Sequence, residues 1–511
     1  MKLNYKRTLL VGFAFFLISV FWQAYDSIIP KILTDKFGMS QFWSGAIMAI
    51  DNVLAVFMLP IFGALSDKTH TKRGKRTPFV IVGTIIAVIA FVGLSFADNM
   101  QLAKIGQVAA VTQESGEDRD RAMEELYSSD VSIRISDGGE KQKLSVLITE
   151  DDFMKITPSD EAYNTYVVPA RQAYAGRVTD ASPRNLIVFI GILLIVLISM
   201  ATFRSPAVAL MPDVTPKPLR SKANAIINLM GTAGGIIVLV LGIVFGTGKA
   251  ANALMSYTTF FLVTAGVMVA ALVIFTLCVK EPKWASEADK INAKEENTAD
   301  SDGSGDKKLS RGELTSLLFI LLSVVFWFMG YNAVTSKYSV YAGSVLNLDY
   351  NLTLIVAQAA AIVSYIPVGI VASKIGRKKT IIAGVIMLGV AFGAASFMRS
   401  GSNIWVMNAL FALAGVGWAT INVNSYPMVV ELARGGNVGR YTGFYYTASM
   451  SAQIITPVLS GAFLTNVGMT TLFPYAAIFV AFAFVTMQFV KHGDSKPAQK
   501  KDMLENLDID D

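Results

Sequence analysis

The sequence predicts an all-α membrane protein. It comprises twelve transmembrane helices in two pseudo-symmetric six-helix halves, with a small extracytoplasmic insertion between helices 3 and 4. Three observations predict it. Hydrophobic residues make up 53% of the 511 and charged residues only 16%, against about a quarter charged in soluble domains; the mean hydropathy is +0.50. The apolar residues gather in runs of roughly 20, the length that crosses a hydrocarbon core. Two cationic loops echo each other between such runs: Gly63-Ala-Leu-Ser-Asp67-Lys68-Thr-His-Thr-Lys-Arg73-Gly74-Lys75-Arg76 and Gly369-Ile-Val-Ala-Ser373-Lys374-Ile-Gly376-Arg377-Lys378-Lys379. Internal repeats of this kind build many membrane carriers.

The spans fall at about 8–29, 41–65, 77–97, 185–211, 222–246, 255–279, 313–333, 351–373, 379–398, 403–429, 440–465 and 471–490. The first run follows Lys2, Lys6 and Arg7. It is too long for a signal core and lacks a small-residue cleavage site, so it is expected to stay as a span. The N-terminal half is then 1–97 with 185–279, and the C-terminal half 313–490. The loop after the second span carries Lys68, Lys72, Arg73, Lys75 and Arg76, that after the fourth Lys217, Arg220 and Lys222, and that after the eighth Lys374, Arg377, Lys378 and Lys379. Alternation puts all three on one side, which the positive-inside rule makes cytoplasmic, together with both termini. Residues 280–312 read as a flexible cytoplasmic linker and 491–511 as a similar tail.

Residues 98–184 are too polar for the bilayer and are expected to form an extracytoplasmic cap. There 117–127 reads as a helix, and 131–136 and 144–149 flank Asp137-Gly138-Gly139 as a hairpin. An inserted loop is cheap to tolerate; a partner-contacting role for the cap is the alternative. Cys278 is the sole cysteine, so no intramolecular disulfide forms. The net charge of +6 sits in short loops beside the spans and gives no reason to expect nucleic acid.

The repeat extends further. Met211-Pro212-Asp213 is followed by Arg220, and Tyr426-Pro427 with Glu431 by Arg440. Taken with the paired loops, these residues resemble the major facilitator superfamily, whose loop between helices 2 and 3 reads roughly G-x-x-x-D-[RK]-x-G-[RK]-[RK]. Gly63, Asp67, Lys68, Gly74, Lys75 and Arg76 match with extra residues between; in the second copy Ser373 replaces the acid. The longer form from Asp67 to Phe79 resembles the sugar–cation symporter branch, with its glycoside–pentoside–hexuronide carriers and sucrose–proton symporters. Arg204-Ser-Pro206-Ala-Val-Ala209-Leu210-Met-Pro-Asp213 resembles a fourth-helix motif on the sucrose side.

Ionisable residues inside spans mark candidate chemistry, since a central aspartate costs about 2.5–3.5 kcal/mol to insert. Asp51 lies about nine residues into its span, roughly 13 Å deep. It is the first candidate for ion coupling, because a buried carboxyl can take a proton from one side and release it to the other. The bland alternative is a hydrogen bond to a neighbouring helix. Asp26 lies nearer the outer end of its span. Arg204 is a candidate counter-ion or a snorkelling side chain. Neither aspartate sits where the resemblance places those of sodium-coupled melibiose-type carriers, which favours a proton as coupling ion and leaves sodium open.

Sugar-binding candidates are Gln23, Tyr25, Asn52, Trp327, Tyr331, Asn332, Gln358, Trp418, Asn422, Tyr446 and Gln453, amides and aromatics of the kind that line polar pockets; packing and interfacial belts are the competing explanation. Gly63, Asp67, Arg73, Arg76, Asp213, Arg220, Glu431 and Arg440 form an expected cytoplasmic gate. The resemblance implies that such charges bridge the halves while the carrier faces outward; the contact expected here is Asp67 with Arg440, and positive-inside topology alone, which accounts for the lysines but not the acids, is the alternative. There is no G-x-x-x-x-G-K-[ST] for nucleotide, and neither a catalytic constellation nor a metal or cofactor is expected. The expectation is a proton-coupled sugar or glycoside symporter in the plasma membrane. A carrier or exporter of another small metabolite or drug, and a receptor or scaffold using the cap, are the alternatives.

Overall fold

The computed structural model describes residues 3–106, 108–135, 139–216, 220–296, 310–430, 432 and 438–493. Twelve long helices carry the membrane domain: α1 (Tyr5–Lys31), α2 (Gln41–Lys68) and α3 (Thr77–Ile105), then α8 (Arg184–Val214), α9 (Arg220–Phe245) and α10 (Thr258–Cys278), and in the second half α12 (Arg311–Tyr341), α13 (Tyr350–Ile375), α14 (Arg377–Ala395), α15 (Ile404–Val430), α16 (Val438–Asn466) and α17 (Leu472–Gln488). Eleven of them are long and apolar enough to cross a membrane by length and composition, and α13 adds a shorter apolar stretch over Tyr350–Tyr365. Between α3 and α8 lie α4 (Glu117–Ser128), α5 (Leu144–Leu147), α6 (Glu150–Met154) and α7 (Val168–Ala181), with strands β1 (Ser132–Ile133) and β2 (Gln142–Lys143); α11 (Glu281–Glu296) joins the halves.

Local chemistry starts the helices where the sequence supplies caps. The Arg7 amide donates to Asn4 Oδ1 (3.1 Å), and the Asn351 amide to Asp349 Oδ1 (2.8 Å). Ser310 and Glu313 form a reciprocal capping box at α12. The first helix of each half, α1 and α12, ends in a π-helical turn, Ile32–Lys36 and Ala342–Leu346. This repeat in the backbone matches the repeat in the loops. Each half has its own core: Phe91 meets Phe261 edge-on at 4.5 Å in the first, and Tyr338 meets Phe411 at 4.4 Å in the second. Ile89, Phe96 and Leu277 stand exposed on the outer surface, as side chains facing acyl chains do.

Several helices outrun their hydropathy. α3 continues to Ile105, so the insertion begins near 106 rather than 98. The reason is a buried ion pair. Lys36 Nζ lies 2.7 Å from Asp98 Oδ1 with both side chains fully buried, donates to the Met255 carbonyl (2.7 Å) and sits 4.4 Å from the centre of the Tyr257 ring. The pair satisfies charges that would otherwise end the span. α12 likewise runs to Tyr341 rather than 333, taking the polar run Thr335-Ser336-Lys337 inside.

The insertion is a small folded domain. Its core gathers Met123, Leu126, Ile133, Leu144, Phe153 and Tyr163. α4 matches the expected helix. Of the expected hairpin only a two-residue ladder forms, Ser132 opposite Lys143 and Ile133 opposite Gln142, and 144–147 is helical rather than extended; residues 136–138 of its turn lie outside the described residues. The linker also differs from expectation in its first half. α11 is an ordered helix because Trp284, 7% exposed, packs into the N-terminal core, with the Arg7 guanidinium 5.4 Å from its ring centre.

The halves meet through α2 with α16, α9 with α13 and α1 with α12. α2 and α16 touch backbone to backbone: a Cβ on Gly45 would fall 1.9 Å from the Pro457 carbonyl oxygen, and one on Gly461 2.3 Å from that of Gln41. Only glycine permits this approach. Removing one partner of a fully buried ion pair costs about 3–5 kcal/mol, so Asp98→Leu is expected to lower unfolding stability in detergent by that order. The double variant Lys36→Met with Asp98→Leu should recover most of it, as read by thermal unfolding; a double variant no better than the single one would show that the charges are not what the site satisfies.

Candidate functional site

Between the halves, at the depth of Asp51, lies a cavity of ≈ 170 Å³. Its N-terminal wall is Trp22, Tyr25 and Asp26 on α1, Met48, Asp51 and Asn52 on α2, and Arg204 on α8; its C-terminal wall is Asn332, Thr335 and Ser336 on α12, with Gln453 and Pro457 on α16. A space of this size holds on the order of ten waters. Asp26 and Ser336 each stand six residues before the π turn of their helix, so the repeat places an acid on one wall and a hydroxyl at the corresponding place on the other.

The charges are uneven. Asp26, Asp51 and Arg204 are half-buried and lie within one another's fields. Asn52 Nδ2 donates to Asp51 Oδ1 (2.7 Å), and the Arg204 guanidinium lies 5.3 Å from the centre of the Trp22 ring, a cation–π distance. One guanidinium balances one carboxylate; the second needs a proton or a cation from outside the fold. Around them, Trp22 Nε1, Tyr25 Oη and Asn332 Nδ2 are buried without a protein hydrogen-bond partner. Unsatisfied donors beside carboxylate acceptors suit a ligand whose groups both donate and accept, as hydroxyls do.

Of the residues singled out in the sequence, Asp26, Asp51, Arg204, Tyr25, Asn52, Asn332 and Gln453 come together on this cavity. Gln23 and Gln358 meet each other across the halves instead, Gln358 Nε2 donating to Gln23 Oε1 (2.7 Å). Trp327 is fully buried in the C-terminal core and does not reach the cavity. Tyr331 and Trp418 stack on each other at 3.7 Å and 4°, and Asn422 and Tyr446 are exposed. Trp22, Met48, Thr335, Ser336 and Pro457 were not anticipated. The signal for Thr335-Ser336-Lys337 is present as a polar run, but it reads as the end of a span. Lys337 itself is fully buried, and its Nζ donates to the Gln41 carbonyl across the halves (2.9 Å).

At the far end of the helices a second cluster orders the Gly63–Arg76 loop. Arg76 joins α2 to α8: Nε donates to Asp213 Oδ2 (2.8 Å), Nη1 to the Gly63 carbonyl (3.3 Å) and to Ser66, and Nη2 to Asp67. Burial works against its charge, yet the Asp213 and Asp67 carboxylates beside it hold the guanidinium above its ordinary value. Asp67 is thus engaged within its own half. The side chains of Arg220 and Arg440, and all of Glu431, lie outside the described residues, and Arg73 is exposed. Glu281, the first residue of α11, is a further member. Its carboxylate accepts from the amides of Lys75 (2.6 Å), Arg76 (2.9 Å) and Thr77 (2.8 Å) and from Thr77 Oγ1 (2.7 Å), neutralising the N-terminal end of α3. Gly74, at φ +114°, leaves the space: a Cβ there would fall 2.2 Å from the Glu281 carboxylate carbon.

Sequence comparison bears on this arrangement. The profile of the Major Facilitator Superfamily matches residues 174–364 and 350–506. The chain belongs to that superfamily. A second profile, MFS/sugar transport protein, matches residues 10–112. The putative glycoside/cation symporter YagG of Escherichia coli is 34% identical over 64 residues, 12% of this chain, and the match spans only 14% of that relative's length. Among solved structures, the inward-open xylose transporter XylE of E. coli superposes with a TM-score of 0.58 at 13% identity, over 97% of this chain and 98% of that one. A D-xylose–proton symporter gives 0.59 at 14%, over 96% and 99%, and the nucleoside transporter NupG 0.54 at 12%, over 95% and 100%. At such identities these likenesses speak for the fold. As an integral membrane protein of this superfamily, the chain holds its cavity where the two halves meet.

Glu281→Ala is expected to leave three amides of the α3 start without an acceptor. Hydrogen exchange of peptides covering 69–79 should accelerate by at least tenfold while α17 stays unchanged; equal exchange in variant and parent would show that Glu281 does not order the loop.

Proposed function

We propose that this protein is a secondary carrier that symports a sugar or glycoside with a proton by alternating access. The observation that carries the reading is the charge count in the cavity, two carboxylates to one guanidinium, beside three donors that find no protein partner. A proton on Asp51 balances the site, with Arg204 as the counter-ion of the remaining charge and Asp26 sharing the field. Sugar hydroxyls then donate to the carboxylates and accept from Trp22, Tyr25 and Asn332. The cavity volume favours one sugar ring with a short substituent. The sugar-transport profile over 10–112 and the name of the glycoside/cation relative support the same substrate class. A sodium ion would meet the same charge requirement, and the experiment below separates the two.

Alternating access has support in the contacts between halves. Among the described residues, hydrogen bonds between the two membrane halves sit at the end where α2 begins and at mid-depth: Lys337 to Gln41, Phe42 to Thr465, Tyr350 and Asn351 to Thr247, and Gln358 to Gln23. Toward the Asp67 end, Asn422 and Tyr446 stand exposed. We read this as the state open at the Asp67 end, and the cationic loops there as cytoplasmic. The Asp67–Arg440 contact would then belong to the opposite state.

In proteoliposomes carrying the parent protein, sugar addition is expected to draw protons with it and to be accumulated under a proton gradient. Asp51→Asn should abolish accumulation at least a hundredfold while sugar-for-sugar exchange persists within a few-fold. Coupling unchanged by the substitution would remove Asp51 from the role, and accumulation driven by sodium alone would make sodium the coupling ion.

A further inference from the structure

The inserted domain has no place in the cavity, yet it touches both halves in different ways. To the N-terminal half it is fixed by buried polar contacts. Arg171 Nη2 lies 3.3 Å from Asp35 Oδ1 with both side chains buried, and Gln172 Nε2 donates to the same carboxylate (2.9 Å). Gln101 Nε2 donates to Thr179 Oγ1 (3.0 Å) and to the Lys36 carbonyl (3.0 Å). α7 leads into α8 through Ser182 and Pro183 alone. Breaking such a set would leave buried charges unpaired, which a low-dielectric site penalises heavily, so the domain moves with this half.

To the C-terminal half it reaches through Arg134, which follows β1. Its Nη1 donates to the Thr465 carbonyl oxygen near the end of α16 (2.6 Å), and the Thr465 hydroxyl accepts from the Phe42 amide at the start of α2 (2.9 Å). One residue of the C-terminal half is thus gripped twice, once by the membrane domain and once by the insertion. A backbone carbonyl held by a guanidinium is a charge-assisted bond, about twice as strong as a neutral one.

We propose that the inserted domain is a latch: carried by the N-terminal half, it grips the C-terminal half through Arg134 and holds the carrier closed at its own end. This rests on the alternating-access reading, because the contact matters only if the halves part there. Opening at that end must break Arg134–Thr465, so the bond adds to the free energy of the opposite state and lowers the population competent to take substrate from the insertion side.

The test uses the full chain in liposomes, with Cys278→Ala and spin labels on the cysteines of Asp180→Cys, on the inserted domain carried by the N-terminal half, and Arg399→Cys, in the C-terminal half, both exposed positions. Two distance populations are expected, a short one dominant. Arg134→Ala should raise the long-distance population several-fold, up to about tenfold, and lower the apparent KM for uptake from the insertion side by a similar factor. Arg134→Lys, which keeps a charged donor, should fall between. Hydrogen exchange over α4 and α7 checks that the domain stays folded in these variants; if it is lost in Arg134→Ala, the Arg134→Lys shift decides. Two populations in the parent that neither variant alters would overturn the latch and leave the carrier reading standing. A single population in every form would overturn both.

Discussion

Lys36 and Asp98 bury both of their charges completely, and the arrangement at that end of the molecule follows from satisfying them. The pair lets α3 continue to Ile105 and fixes the π turn after α1 against the Met255–Tyr257 segment before α10. The same turn presents Asp35 to Arg171 of the insertion. A charge in a low-dielectric layer is tolerated only when paired and hydrogen-bonded. Each such pair therefore ties two elements that hydropathy would have ended separately. Three helices and the inserted domain become one body through these contacts.

The cavity is where this rule is left incomplete. At the ends of the membrane helices acids have partners: Asp98 has Lys36, Asp35 has Arg171, Asp67 and Asp213 share Arg76, and Glu281 takes three amides and a hydroxyl. Asp26 and Asp51 share one guanidinium, and that guanidinium leans on Trp22 rather than forming a close ion pair with either. Local departures from satisfied polarity concentrate at functional sites, and here the deficit is one positive charge and several hydrogen-bond acceptors. In the proposed function a proton on Asp51 would supply the charge and a hydroxyl-rich ligand the acceptors. The contact between the halves obeys a different constraint, steric rather than electrostatic: Gly45 and Gly461 let α2 and α16 touch backbone to backbone, with the polar contacts of Gln41 and Thr465 beside them.

Much of this was legible in the residues. The helix count, the two halves, the cationic loops, the inward acids Asp26 and Asp51 and the inward base Arg204 all follow from apolar runs and their exceptions. The misread stretches share one cause. Hydropathy ends the runs at the first cluster of polar residues, at 29, 97 and 333, and in each case the helix continues because a charged residue there finds a partner distant in sequence: Lys31 the Thr247 carbonyl, Asp98 Lys36, and Lys337 the Gln41 carbonyl. Thr335 and Ser336, which bond to carbonyls of their own helix, fall outside the run drawn from hydropathy and so outside the expected site. Glu281 was lost because a carboxylate capping a helix some two hundred residues away leaves no local pattern.

What the sequence determined by itself was the class of the protein and the identity of its unusual charges, since hydropathy and charge in a bilayer are properties of single residues and short runs. Only the tertiary structure decided which of those charges are satisfied. Partnering is a long-range geometric fact: it seals Lys36, which lies beyond the apolar run of its helix, against Asp98, and leaves Asp51, an exception inside such a run, facing the cavity. It also decided that the insertion is a folded domain held to one half and touching the other, which no composition of residues 106–183 could state.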